Sequence, residues 1–418
     1  MTVRVAGAGE RQFWAYEQLH EDGDATLLVG AFELDGELDV STVRFATKTL
    51  IQRHEILRSE FRRVGGDVTV VRHEAATVPV DVDTVVARNR EEAVAVAHRL
   101  ASQPVALDRP PLLRVALVSW TRSRHILVLV SHHAVLDGAA LGVLAGEFGR
   151  LVDPTSEPLP DPVSLSELRA AEETRRTSNA WQRDIDYWCD QLALVESDPS
   201  VSGDPSRPAD SDDKYIDTES TDRLRRLASR LRASPTIVLL ALWADHLFEH
   251  RRASAVVIGV PVSGRADPRH RAVVGLLMNT IPLVVPHTEG TFTERVAAVR
   301  RVFLQGLRHH RAPLVEVARA ARPGQSLEVA PLYWAMFSQG EQSTLTFGGH
   351  AVERMPMGGD TTDAPVSFVM VEEASGGIRT SLSIEDGFAF GDGGARGHLE
   401  RFHSRLTEVL SGEEGTAS

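Results

Sequence analysis

His125-Ile126-Leu127-Val128-Leu129-Val130-Ser131-His132-His133-Ala134-Val135-Leu136-Asp137-Gly138 passes from an unbroken apolar run into a polar turn, and the small-residue segment Ala139 to Leu151 follows. Consecutive rather than alternating apolar residues read as a strand covered on both faces, and the segment after it has the length and composition of a helix. A second apolar run, Leu112 to Trp120, precedes the polar turn Thr121-Arg122-Ser123-Arg124 and reads as an adjacent buried strand. A histidine pair therefore stands where a buried strand leaves its sheet, a position from which side chains are held rigidly and still reach a cleft. Imidazole is the side chain best matched to proton transfer near neutrality, so this spacing predicts a positioned general base. Asp137 is expected to turn back and fix the loop or to pair with an arginine, and Gly138 to allow a tight exit.

Two other chemistries suggest themselves for the pair and find little support. A satisfied core pair or half of a metal site is the plainer reading of any His-His, but no cysteine accompanies this one and no second histidine cluster with ligand spacing is recognised, so no metal is expected. His309-His310, on a basic helix read over Thr293 to His310, is taken as a solvated face. A Ser-His-Asp hydrolase would need a Gly-x-Ser-x-Gly elbow, and the nearest approach, Val262-Ser263-Gly264, lacks the flanking glycine.

Working outward, residues 8 to 20 read as a short helix carrying Phe13, Trp14, Tyr16 and Leu19, and Leu27 to Phe32 as a strand. A helix capped by Asp39 or Ser41 carries Val43, Ala46, Leu50 and Ile51 at helical period. Strands are predicted at Val68 to Val71 and Val78 to Val82, and a helix at Glu91 to Leu100. In the second half Ser234 and Pro235 open a helix reaching His250, the buried strand Val256 to Val260 follows, and Gly397 to Leu410 closes the chain as a helix. Both halves mix strands and helices, which predicts an α/β molecule of two lobes. The boundary is set at 165/166, giving an N-terminal lobe over 1–165 and a C-terminal lobe over 166–418, with 195–219 a polar loop and 411–418 a flexible tail.

The chain has 418 residues, and its 45 Lys+Arg against 58 Asp+Glu give a net charge of −13, which argues against a general nucleic-acid binder. With 42% hydrophobic and 25% charged residues the composition is that of a globular protein. Cys189 is the single cysteine, so an internal disulfide is excluded and a cytoplasmic setting is expected. No charged leader followed by an apolar run opens the sequence, and the stretch Ile237 to Ala244 falls far short of the roughly 20 residues that span a bilayer. Lys48 and Lys214 are the only lysines, so nearly all positive charge is arginine.

His132-His133-x-x-x-Asp137-Gly138 resembles the signature of nonribosomal-peptide condensation domains and their relatives among chloramphenicol-acetyltransferase-like acyltransferases. Further segments follow in that family's order: Arg53-His54-Glu55-Ile56-Leu57-Arg58-Ser59-Glu60-Phe61, then Leu107 to Arg114, Tyr187-Trp188, Gly259-Val260-Pro261-Val262-Ser263-Gly264-Arg265, Val274 to Leu283, and Pro331-Leu332 to Phe337-Ser338-Gln339. The resemblance implies a V-shaped pseudodimer of two chloramphenicol-acetyltransferase-like lobes with a central tunnel. It implies that His133 is the base, that His132, Asp137 and Gly138 support the motif, and that Arg265 is the ion-pair partner of Asp137. It also suggests Asn279 and Ser338 as substrate contacts. No bound cofactor is implied; the donor would be an acyl group on a phosphopantetheine arm, borne by an acyl or peptidyl carrier protein or by coenzyme A. The acceptor would be a small amine or alcohol. Ala139-Ala140 stands where peptide-elongating members commonly have Trp-Ser, which argues against ordinary peptide-bond elongation; with no room in the 418 residues for an attached adenylation or carrier domain, a free-standing tailoring or release enzyme of secondary metabolism is expected. Two other kinds of member share the likeness: a catalytically silent module that recruits partners to a carrier protein, and an epimerase-like enzyme.

Overall fold

The strand that carries the histidine pair, Arg124–His132, lies inside a four-stranded sheet ordered Leu27–Asp35, Arg124–His132, Arg114–Ser119, Val82–Val86. The computed structural model describes residues 2–19, 26–195, 209–251, 253–324, 332–340, 344–355, 357 and 364–412. The strand's alternate side chains serve two cores. Leu127 and Leu129 join Leu141, Leu144 and Phe148 of the following helix, Gly138–Val152. Ile126, Val128 and Val130 meet Ala93 and Ala97 of the helix Arg90–Ala101. Burial on both faces is what the consecutive apolar residues demanded.

The chain packs as two units, residues 1–175 with 263–278 and 341–361, and residues 176–262 with 279–340 and 362–418. The first unit adds to its sheet a three-stranded one, Thr2–Val5, Asp67–Arg72 and Ser59–Val64, and a hairpin, Thr344–Phe347 with His350–Glu353, whose Leu345 and Phe347 enter the core. The second is built on a six-stranded sheet ordered Asn279–Pro286, Ala255–Val262, Ala335–Gly340, Val366–Glu372, Ile378–Glu385, Ala209–Ile216. Its central apolar helix, Pro235–His250, is capped by Ser234 with Pro235 in the first turn. Trp243 and Trp188 are among its largest fully buried side chains.

Four expectations change. The single boundary at 165/166 gives way because Val273 and Val274, late in the sequence, are buried in the core of the first unit. The strand expected at Val78 to Val82 runs instead over Val82–Val86, since Pro79 has no N–H to give a ladder. The loop expected over 195–219 contains an edge strand, Ala209–Ile216, paired along its length with Ile378–Glu385; 196–208 lie outside the described residues. The flexible tail expected over 411–418 is corrected at 411 and 412, which belong to the last helix, Gly394–Gly412; 413–418 lie outside the described residues. No helix among the described residues is long and apolar enough to cross a membrane.

Candidate active site

The two histidines of the pair have different surroundings. His132 is 1% exposed, whereas the next residue is half-buried. The His132 Nδ1 accepts the Ala134 N–H at 2.8 Å, so its proton sits on Nε2, which faces Glu17 Oε2 at 3.2 Å. The carbonyl of His132 accepts the N–H groups of Val135 (2.8 Å) and Leu136 (3.1 Å), turning the chain tightly at the strand end. Partial burial works to raise the Glu17 pKa, but bonds from His132 and from the Thr26 hydroxyl at 2.8 Å outweigh it and hold the carboxyl below its ordinary range. Every polar handle of His132 thus serves geometry.

His133 is seated by its backbone and by its ring face. Its N–H donates to the Thr26 carbonyl at 2.7 Å, and its imidazole stacks on Phe13 at 5.3 Å between centroids and 19° between planes. Phe13 and Glu17 are one turn apart on the helix Ala8–Leu19, so one helix steadies both histidines. That helix is itself anchored. The fully buried Glu10 receives Arg4 at 2.6 and 2.8 Å and Arg169 at 3.4 Å, and Arg169 reaches on to the Leu276 carbonyl at 2.5 Å. Burial raises the Glu10 pKa, yet the two guanidiniums dominate and lower it to about 2. Phe13 and Glu17 are the site residues that sequence reasoning missed. Their i, i+4 spacing was visible, but nothing in it said which strand end they would face.

Asp137 caps the helix Gly138–Val152, with Oδ1 accepting the Ala140 N–H at 2.9 Å. Its Oδ2 accepts Arg265 Nη1 at 2.6 Å and the backbone N–H groups of Leu277 at 2.8 Å and Met278 at 3.0 Å. Arg265 also donates to the carbonyls of Ser263, Val273 and Gly275. The ion pair is buried on both sides and joins the motif to the segment 263–278. Within that segment Gly264 has φ of +67°, and a Cβ there would fall 2.2 Å from the Leu277 carbonyl oxygen, so only glycine fits. Gly138 is different from expectation. It opens the helix with no left-handed φ, and a Cβ on it would meet no protein atom within 4 Å, so the tight exit does not require it.

The remaining candidates lie in the second unit. The Asn279 amide donates to the carbonyls of His310 (2.8 Å) and Ala312 (2.7 Å), and its oxygen accepts the Leu314 N–H at 3.2 Å. Its carboxamide is therefore committed to holding the bend before the helix Leu314–Ala321. Ser338 is a half-buried member of the strand Ala335–Gly340, opposite Val369; Pro331, at the head of its segment, is outside the described residues. The solvated face expected at His309-His310 is corrected: the helix ends at Arg308, and His309 stacks on Tyr187 at 4.0 Å while its Nδ1 meets Asp184 at 3.0 Å. The Arg53-His54-Glu55 segment is a fastener as well. His54 Nε2 lies 2.7 Å from Glu147, and Glu55 accepts the Ser166 N–H at 2.6 Å and hydroxyl at 2.8 Å.

The family of condensation domains matches residues 5–411. Among curated proteins the chain is 25% identical over 340 residues to surfactin synthase subunit 2 of Bacillus subtilis (strain 168), covering 79% of this chain and 9% of that one. The curated relatives matched first are far longer, and the chain spans between 5% and 13% of their lengths. Among solved structures it resembles the condensation domain of the monacolin K polyketide synthase, with a TM-score of 0.85 at 18% identity over 98% of each chain. It also resembles the starter condensation domain of rhizomide synthetase crystallised as a mutant with C8-CoA and Leu-SNAC, with a TM-score of 0.83 at 17% identity over 98% of this chain and 95% of that one. These likenesses show the fold.

Proposed function

The chain belongs to the condensation-domain family, and from that premise we propose that it transfers an acyl group from a phosphopantetheine thioester, on a carrier protein or coenzyme A, to the amine or hydroxyl of a small acceptor. His133 acts as the general base. The acceptor heteroatom attacks the thioester carbonyl carbon while His133 takes its proton. The C–S bond then breaks, the acyl group stays on the acceptor as an amide or ester, and the proton passes to the departing thiol. Such a reaction needs two substrates held together and one proton managed, which is chemistry that positioning and a single imidazole can supply.

The observation that carries this reading is the contrast within the pair. His132 is buried with both ring nitrogens engaged in fixing the turn, while His133 is half-buried with its ring face held by Phe13. Asp137 is fully occupied as a cap and ion-pair partner and is assigned a structural role. Incubating the protein with acyl carrier proteins and acyl-CoA thioesters against a panel of amines and alcohols, and reading the products by mass, tests the proposal. Acyl transfer to an acceptor is expected. Binding of loaded carrier without turnover would instead indicate a recruiting module, and deuterium uptake at the α-carbon of a tethered aminoacyl group would indicate an epimerase.

A further inference from the structure

His246 and His250 stand four residues apart, one helical turn, which is a ligand spacing and corrects the expectation that no second histidine cluster has one. They lie near the end of the helix Pro235–His250, and His398 of the last helix, Gly394–Gly412, closes on them. Ring centroids are 4.8 Å apart for His246 and His250, 4.6 Å for His250 and His398, and 5.3 Å for His246 and His398. One nitrogen from each ring lies within 4.8 Å of the other two. His246 and His398 are fully buried, and His250 is half-buried.

Hydrogen bonding within the protein does not account for this cluster. His246 Nε2 and His398 Nδ1 stand 3.0 Å apart and can share one proton, but His246 Nδ1 and His250 Nε2 are buried without a hydrogen-bond partner. The walls are largely aromatic, with Trp243 stacked on His246 and Phe390 on His398, and the Gly391 backbone makes a hydrogen bond to His398 alone. Polar nitrogens left unpaired against apolar surface are costly, and three converging imidazoles are a costly way to fill a core. Gly391, with φ of +92°, lies against the cluster, and a Cβ on it would fall 3.0 Å from His250 Nδ1.

We infer that His246, His250 and His398 form a site for one divalent transition-metal ion of the zinc type, which would tie the central helix of the second unit to the last one. Three neutral nitrogen donors with no carboxylate suit zinc, cobalt, nickel or copper and do not suit calcium or magnesium, which take oxygen ligands. Of the cations nearby, Arg405 is ion-paired with Glu249, and Arg401 donates to the Asp392 carbonyl. The inference stands apart from acyl transfer.

The test uses the untagged full chain, stripped with a chelator and dialysed. Titration with Co(II) is expected to give saturable visible d–d absorption at one ion per chain, and calorimetry with Zn(II) the same stoichiometry with a rise in Tm. His250→Ala, at the half-buried position, is expected to keep the wild-type circular dichroism, weaken Zn(II) binding about tenfold or more and abolish the Tm rise. Absence of one-to-one binding by the wild-type chain would overturn the site whatever the variant does, and so would unchanged affinity in a folded His250→Ala protein.

Discussion

Both carboxylate oxygens of Asp137 are engaged, one on the Ala140 amide and the other on Arg265, Leu277 and Met278. A carboxylate so committed has little left for a substrate, and its burial makes the guanidinium partner indispensable. Arg265→Ala strands a buried charge and releases three carbonyls, so a loss of about 3–5 kcal/mol in unfolding free energy is expected, read by urea denaturation. An unchanged midpoint would contradict the role given to the pair. Glu17 holds the His132 tautomer that accepts from Ala134, and under the proposed function it would act on His133 through that neighbour. Glu17→Ala should therefore lower kcat by about tenfold with little change in KM, while Glu17→Gln, which still accepts from His132 Nε2, should recover most of it. A KM effect without a kcat effect would place Glu17 on the substrate instead.

At the scale of elements, legibility followed burial. The strand Arg124–His132 and the helices Gly138–Val152 and Pro235–His250 were readable because apolar residues crowd them. The helix Leu165–Arg176 stands out less, because its Leu, Glu, Ala and Arg favour a helix but Leu165 is its one fully buried residue and no long apolar stripe marks its face. The edge strand Ala209–Ile216 is polar on both faces and is set by the ladder it makes with Ile378–Glu385, a partner far away in sequence. The His motif and Arg265 were readable as a pattern, whereas Phe13 and Glu17 became site residues only through the packing of their helix. The last helix is also fastened to that outer strand through a titratable group. Thr380 donates its hydroxyl to the Lys214 carbonyl at 2.9 Å and so accepts from His403 Nε2 at 2.8 Å. Burial, with a smaller push from Lys214, lowers the His403 pKa to about 4. The unfolded chain, titrating near 6.5, binds the proton first, so this contribution is whole above about pH 6.5 and is lost as pH falls toward 4. His403 should account for up to about 3 kcal/mol of the stability lost over that window, and the His403→Gln protein should show a visibly shallower slope. Parallel pH profiles would remove His403 from the account.

For the whole molecule, a net charge of −13 would repel the anionic donor arm that the proposed function calls for, so an uneven placement of the basic residues is expected. Arg223 and Arg225 are neutralised within their own neighbourhood by Glu219, Asp222 and Glu372. Arg300, Arg301, Arg308 and Arg311 are exposed on and just beyond the helix Phe292–Arg308, and a donor of the proposed kind is expected to dock there rather than at the first cluster. Reversing Arg300, Arg301 and Arg308 to glutamate should raise the donor KM severalfold, with a salt-sensitive effect, while the same change at Arg223, Arg225 and Arg226 leaves it unaltered. Equal effects from both clusters would make the arginine excess a matter of composition. The measurement that bears most directly on the central claim is single-turnover acyl transfer by wild type and His133→Ala, with the donor and acceptor found active by mass and the fold of both proteins checked by melting. The account predicts an unchanged Tm and a rate lowered by about two to four orders of magnitude. A folded His133→Ala protein that transfers acyl groups at the wild-type rate would contradict it.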